Sequence, residues 1–213
     1  MAKGTRVGLS NIHFAKILEE TETTVTYDTP VKIGAAIEAT ITPGVNSETL
    51  YGDDGVVDVA TAQGATEISI GVDELDHDSQ ALLLGHFINE DGVIEKKETD
   101  DAPYGALLFE SATLAKEKKL YVLYKGKFQL QEESFATKTD SPEFQTDSLS
   151  GTFFGRKHDK VWQRSIFTGR KGVNPEVVAN WFKKVYEPSQ SQTITGTALD
   201  LGGVSAESTI PEV

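Results

Sequence analysis

The residues of this chain best suited to chemistry are a cluster of hard ligands and a few scattered histidines. Asp73, Glu74, Asp76, His77 and Asp78 form the densest such cluster. An EF-hand calcium loop needs Gly at its sixth position and Glu at its twelfth. Counted from Asp73 those positions hold Asp78 and Leu84, so the pattern fails. Carboxylates also gather where a helix begins, because its dipole favours them there. A helix starting after Asp76 or Asp78 fits that explanation. A hydrolase would need two carboxylates, for instance Asp73 and Asp76, converging in a cleft with their pKa values pushed apart. His13, His77, His86 and His158 lack metal-ligand spacing, and His158-Asp159 has no nucleophile beside it. Gly126-Lys127 is followed by Phe128, not by the hydroxyl of a P-loop, and the zincin and nucleophile-elbow motifs do not occur. Trp162, Trp181, Tyr121 and Phe154 are candidates for an aromatic sugar platform, although strand alternation reads most aromatics as core. The sequence therefore marks no catalytic, cofactor-binding or metal-binding residue.

Any such residues would have to be positioned by strands. Val31, Ile33, Ala35, Ile37, Ala39 and Ile41 alternate without a break, which predicts one long strand with one apolar face. Leu120, Val122, Tyr124, Gly126, Phe128 and Leu130 predict a second, with a bulge or bend at the glycine. Ile68, Ile70 and Val72 predict a third. The apolar parity switches from Val7 and Leu9 to Ile12 and Phe14, so a bulge is expected near Ser10-Asn11. Further strands are expected at 24–28, 56–62, 92–97, 104–113, 148–155 and 160–167. Turns are expected at Pro43-Gly44, Asp53-Asp54-Gly55, Asp91-Gly92 and Ser141-Pro142. One helix is expected through Ala81–Leu84 with Gly85 as its stop. Another starts with Asn174 as cap and Pro175 in its first turn, and presents Val177, Val178, Trp181, Phe182 and Val185 on one face. The fold class is mainly β: an antiparallel sandwich or barrel-like domain over 1–188, two short helices, and a C-terminal arm over 189–213 that has no aromatic and no basic residue.

The chain has 213 residues, no cysteine and a formal net charge of −13. Without cysteine there are no disulfides, thiolate zinc sites or cysteine nucleophiles. No apolar run approaches the roughly 18–20 residues of a membrane span. Met1–Ser10 lacks the apolar stretch of a signal peptide, which predicts synthesis in the cytoplasm. The acidity argues against a basic nucleic-acid groove. Residues 48–101 carry 15 acidic and 2 basic side chains, whereas 102–187 carry 10 acidic and 14 basic ones. This split reads either as a solvated acidic face or as complementary patches that meet head to tail between copies. Arg156, Lys157, Lys160 and Arg164 are the candidate basic partners.

Six words recur in a telling order: Tyr51-Gly52-Asp53-Asp54-Gly55, Ile70-Gly71-Val72-Asp73-Glu74-Leu75, Leu83-Leu84-Gly85-His86, Asp101-Ala102-Pro103-Tyr104-Gly105-Ala106, Tyr124-Lys125-Gly126-Lys127-Phe128 and Trp181-Phe182-Lys183-Lys184-Val185-Tyr186. Over roughly residues 5–188, the chain resembles the major tail proteins, or tail-tube proteins, of long non-contractile-tailed (siphovirus-like) phages of Gram-positive bacteria.

The resemblance implies two packed antiparallel sheets with a flanking helix, and hexameric rings stacked into a virion tail tube through which DNA is ejected. It implies a stacking loop between early strands, here Pro43 to Val56, with Glu48, Tyr51, Asp53 and Asp54 as contact candidates. It also implies a terminal arm, here 189–213, and as partners further copies of the chain, a tape measure protein, a tail terminator and distal tail proteins. DNA would pass without specific binding, and no cofactor is implied. The acidic stretch 48–101 would serve either lumen or stacking. The alternatives are a β-sandwich module recognising a host-surface glycan or receptor, and the Asp73/Asp76 hydrolase.

Overall fold

Leu107 and Phe109 point to one side of their strand and Ala106 and Leu108 to the other, and all four are buried. A strand that is apolar on both faces must lie between two layers, and this one does. The computed structural model describes residues 5–129, 137 and 146–188. Its strands are β1 (Ser10–Glu20), β2 (Val25–Tyr27), β3 (Val31–Lys32), β4 (Ala36–Gly52), β5 (Gly55–Val72), β6 (Phe87–Ile88), β7 (Ile94–Glu95), β8 (Gly105–Ala112), β9 (Lys118–Gln129), β10 (Asp147–Phe153) and β11 (Gln163–Phe167). Its helices are α1 (His77–Leu84) and α2 (Pro175–Asn180). Leu130, the Ser141-Pro142 turn and the arm 189–213 lie outside the described residues.

One antiparallel sheet runs in the order β2-β1-β8-β9-β10-β5-β4, with β11 added to β9 and β3 to β1. It folds over at β9. The first half of β9 pairs with β8 and β11, and the second half pairs with β10. At the fold the β8–β9 register slips: Gly105 faces Gly126, but Leu107 faces Leu123. The extra residue in β9 reverses its facing. Val122 and Tyr124 point one way, and Leu123 and Phe128 the other. This is the expected irregularity near Gly126, and it divides the sheet into two layers.

The layers enclose the main core: Ile12 and Phe14 of β1, Leu107 and Phe109 of β8, Ile68, Ile70 and Val72 of β5, and Leu149 and Phe153 of β10. Leu83 and Leu84 of α1 close one end. A second core lies on the far face of β8 and β9, where Trp181 and Val185 cover Leu108, Leu120, Val122 and Tyr124. The domain is thus a β-sandwich with α2 and the turn after it laid over one sheet.

Several sequence expectations hold at residue level. The bulge near Asn11 is present: Ser10 faces Glu110 and His13 faces Leu108, with Asn11 at φ 55°. Buried Glu110 accepts bonds there from Ser10 Oγ (3.1 Å) and Asn11 Nδ2 (2.9 Å). Asp76 caps α1 by accepting from the Ser79 amide, and Gly85 ends it in the left-handed region. Asn174 caps α2 as expected.

Three expectations are corrected. The unbroken strand over 31–41 is interrupted at Gly34 (φ 134°), and a second slip at Ile37 follows between Ala36 and Glu38. Ile33, Ala36, Ala39 and Ile41 face the core, while Val31 and Ile37 are exposed. Simple alternation hid two compensating irregularities. Pro43-Gly44 is no turn; it is a slip inside β4, opposite Ala65, where the chain runs straight on to Gly52. The strands expected at 56–62 and around 68–72 are accordingly one, β5.

Close approach at Gly126 explains why that residue carries no side chain: a Cβ there would lie 2.4 Å from Phe153 Cγ. Gly126→Ala is expected to destabilise the domain by about 1–3 kcal/mol through overpacking. Urea denaturation reads this as a lowered midpoint; an unshifted midpoint would contradict the contact.

Candidate functional site: an assembly surface

Beyond Pro43 and Thr66, β4 and β5 leave the sandwich as a two-stranded hairpin, paired from Val45–Gln63 to Gly52–Gly55. Asp53 (φ 47°) and Asp54 (φ 63°) close it in the two-residue turn that suits the strand twist. The segment read as a loop from Pro43 to Val56 is therefore a strand hairpin around that turn, with register slips at Pro43/Val45 and Leu50/Tyr51. At about 3.3 Å per residue it projects roughly 30 Å. Its large apolar side chains Val45, Leu50, Val56, Val57 and Val59 are exposed, and Tyr51 is 72 % exposed.

Register sorts this hairpin into two faces. Val45/Gln63, Ser47/Thr61, Thr49/Val59 and Tyr51/Val56 continue the side on which Ile41 and Ile68 face the core. That face bears no charge. Asn46/Ala62, Glu48/Ala60 and Leu50/Asp58 continue the outer side. Of the candidate contact residues, Glu48 and Tyr51 thus point to opposite sides, and Asp53 and Asp54 sit at the tip.

The outer side of the sandwich below the hairpin is a bare sheet face. Rows run across β9, β10, β5 and β4 as Gln129–Ser150–Ser69–Thr40 and Lys127–Thr152–Glu67–Thr42. A third row holds Ser148, Gly71 and Glu38, with the Glu38 side chain lying against Gly71. No helix covers this face among the described residues.

The basic candidates part company. Arg156 is fully buried. Its guanidinium stacks 3.9 Å from the Tyr124 ring centre and pairs with Asp159 (2.5 Å) and Glu187. Arg164 donates to the Tyr124 hydroxyl (3.0 Å) and to Asp159 (3.3 Å). Tyr124 in turn donates to the Tyr186 carbonyl (2.7 Å). This cluster pins the segment around Tyr186 and Glu187 to the sheet. Lys157 and Lys160 remain exposed on the surface. Sequence reasoning missed the cluster because its members are far apart in the chain; only the local Arg156–Asp159 spacing hinted at it.

The protonation states follow. Burial opposes the Arg156 charge, but bonds from Asp159 and Glu187 outweigh it and hold the guanidinium more firmly protonated than usual. Burial pushes the Tyr124 hydroxyl up to about 12. Burial works against the Asp159 carboxylate, yet Arg156 and the Val161 amide bring it below its ordinary value. Glu20 is lowered in the same way: burial opposes its charge, and its bond to Lys125 prevails.

The described residues do not favour the alternative chemistries. Asp73 accepts the Ala35 amide (2.7 Å) and Asp76 caps α1, and both carboxyls are held low, chiefly by those bonds, instead of being pushed apart. Trp181 is buried and stacked on Tyr186, and Tyr121 is stacked on Phe109, so neither belongs to an exposed platform. Among the described residues no His/Asp/Glu group could hold a metal ion, and no helix is long and apolar enough to cross a membrane.

The described residues form a sandwich from which one long, partly apolar hairpin projects. Residues 26–187 match the family described as phage tail tube protein. The chain belongs to that family, whose members are structural components of the virion tail. No curated protein matches it.

Lowered carboxyls contribute stability that is present above their unfolded values, near pH 4, and lost as pH falls through their folded values. Acid is therefore expected to destabilise the domain below about pH 4. Arg156→Met should cost roughly 3 kcal/mol, the low end for breaking a buried pair, because the carboxylates left behind keep contact with water. It should also flatten the acid limb, since Asp159 loses the partner that lowers it. Denaturation across pH measures both effects, and an unchanged acid limb would contradict the assignment.

Proposed function

We propose that this chain assembles into hexameric rings that stack into the tail tube of a long, non-contractile phage tail, through which DNA is ejected into a Gram-positive host. The observation that carries the reading is the outer half of the β4–β5 hairpin. An isolated two-stranded hairpin is marginal in water. Here both of its faces are open, and six large apolar side chains on it are exposed. Covering them against another copy contributes about 1.5–3 kcal/mol per fully buried side chain. The uncharged Val45/Tyr51/Val56/Val59 face is the part that docks. Asp53 and Asp54 at the tip and Glu48 on the outer side add electrostatic register against Lys157 and Lys160 of the next copy. Arg164 contributes only its remaining exposed edge, and Arg156 acts from inside the subunit.

In this reading residues 1–188 form the tube domain and 189–213 an arm reaching a neighbouring ring. The chain is made in the host cytoplasm, and the tube ends meet a terminator and distal tail proteins around a tape measure protein. The subunit performs no catalysis.

Negative-stain electron microscopy across a concentration series tests the assembly. Hollow tubes or stacked rings are expected; a monodisperse monomer under every condition, including with tail-initiating partners, would overturn it. Replacing Val45, Tyr51 and Val56 together by Ser should abolish assembly yet leave the thermal midpoint of the sandwich nearly unchanged, because those side chains touch no core. Tubes from the triple variant would refute the docking face. Salt separates the two contributions, since exposed charges are screened beyond about 8 Å at physiological ionic strength. Stacking should slow as salt rises, and salt-insensitive growth would remove the electrostatic register.

A further inference from the structure

We infer that the paired turns at 113–118 and 167–171, with Arg6 beside them, form a second contact surface, and that its occupant is the acidic end around α1 of another copy of this chain. The inference rests on the tube reading and adds a surface which that reading does not use.

Three segments are tied together here. The turn at 113–118 closes through the Lys116 amide on the Thr113 carbonyl (3.0 Å) and the Thr113 amide on the Glu117 carbonyl (2.8 Å). Thr168 staples it to the turn after β11: its Oγ1 donates to Glu117 Oε2 (2.7 Å) and accepts from the Lys118 amide (2.8 Å). The Leu114 amide donates to the Thr5 carbonyl (3.1 Å), and Arg6 bridges to Thr113.

The charges on these segments are not balanced among themselves. Glu117 is committed to Thr168, Lys118 pairs with Glu110, and Lys119 lies over the Phe167 ring. Arg6, Lys116, Arg170 and Lys171 are exposed and have no acidic partner among the described residues. Leu114 (69 % exposed) and Val7 (55 % exposed) stand beside them. A chain of formal net charge −13 has acidic side chains in excess, yet none is placed against these four cations. Unpaired cations around exposed apolar side chains suit an acidic protein surface, because opposite potentials fix register while the apolar contact excludes water.

The position of the turns selects that surface. Arg6 and Ser111 share a cleft with Thr40 and Ile41, just before β4 leaves the sandwich at Pro43. The basic turns therefore sit beside the base of the hairpin, and the copy that the hairpin reaches faces them too. β5 runs from the hairpin to the opposite end of the subunit. There Asp73, Glu74, Asp76 and Asp78 are exposed around the start of α1, and Glu74 and Asp78 have no ion-pair partner among the described residues. No lysine or arginine occurs between Ile33 and Glu95. Copies joined head to tail bring the basic end of one against this acidic end of the next.

Charge reversal tests the pairing. Lys116→Glu with Arg170→Glu, and separately Glu74→Lys with Asp78→Lys, should each raise the concentration needed for tubes by more than about tenfold, because like charges then face each other. The chain carrying all four substitutions should form tubes near the parental concentration, since the attraction returns with its sign exchanged. Thermal midpoints of the isolated subunits check folding. Where a reversal unfolds the subunit, Lys116→Gln with Arg170→Gln takes its place, with a smaller rise expected and no rise counting against the pairing. Tubes of both double variants at the parental concentration, or a fourfold variant that assembles no better than the doubles, would overturn the pairing and leave the tube reading intact. Failure of the parent chain to form tubes would instead overturn the tube reading, and this inference with it. Short duplex DNA should not be retained by the parent subunit. Retention that is lost in the Lys116→Glu, Arg170→Glu variant, with assembly unaltered, would assign the surface to nucleic acid and overturn the proposal.

Discussion

One extra residue in β9 sets the geometry of this subunit. A strand without it would keep its facing throughout, and its second half would present Phe128 to the wrong side. With the slip between Leu107–Leu123 and Gly105–Gly126, β9 serves two layers. Its first half places Leu120, Val122 and Tyr124 beneath the Trp181 layer, and its second half places Phe128 in the main core. β10 and β5 are built outward from that second half. The hairpin and the bare hydroxyl face are both continuations of those strands, so their orientation descends from the slip. The contact between Gly126 and the Phe153 ring locks it.

The buried guanidinium completes the same region from the other side. Arg156 lies over the ring of Tyr124, the last residue of the first half of β9, and Tyr124 ties the Tyr186 carbonyl to the sheet. The segment Tyr186–Glu187 is therefore held at a fixed point next to the fold in the sheet. A charge buried this deeply is stabilising only when its partners are in place. Asp159 and Glu187 supply them, one from the local turn and one from 31 residues further along the chain.

Much of this was legible in sequence because the signals are local. Caps at Asp76 and Asn174, the stop at Gly85, the Asp53-Asp54 turn and the parity switch near Asn11 each depend on a few neighbouring residues, and the structure has them. What was not legible is relational. The run from Val31 to Ile41 alternates well, yet two irregularities reset its facing, and only the partner strand shows where. Pro43-Gly44 has turn chemistry but sits in a strand because β5 runs alongside it, with Gly44 close against the Ala65 backbone. Arg156 reads as a surface cation until Asp159, Glu187 and the Tyr124 ring are brought around it. The candidate acidic residues scatter for the same reason: period two separates Glu48 from Tyr51 whatever their proximity in the chain.

The acidity of the chain now divides by role. Asp73, Asp76 and Asp147 are committed to backbone amides, at Ala35, Ser79 and Leu75. Asp159 and Glu187 neutralise Arg156, Glu20 pairs with Lys125, and Asp101 with Lys127. The paired carboxylates are neutralised locally, whereas Asp73, Asp76 and Asp147 keep their charge against neutral amides. Glu38, Glu67, Glu48 and Asp58 are different: they share the outer side of one long strand pair. The opposite side of the hairpin is free of charge, so period two separates an acidic surface from an uncharged one by face. An uncharged face gives up water at a lower penalty than an acidic one, which must first find partners for its charges.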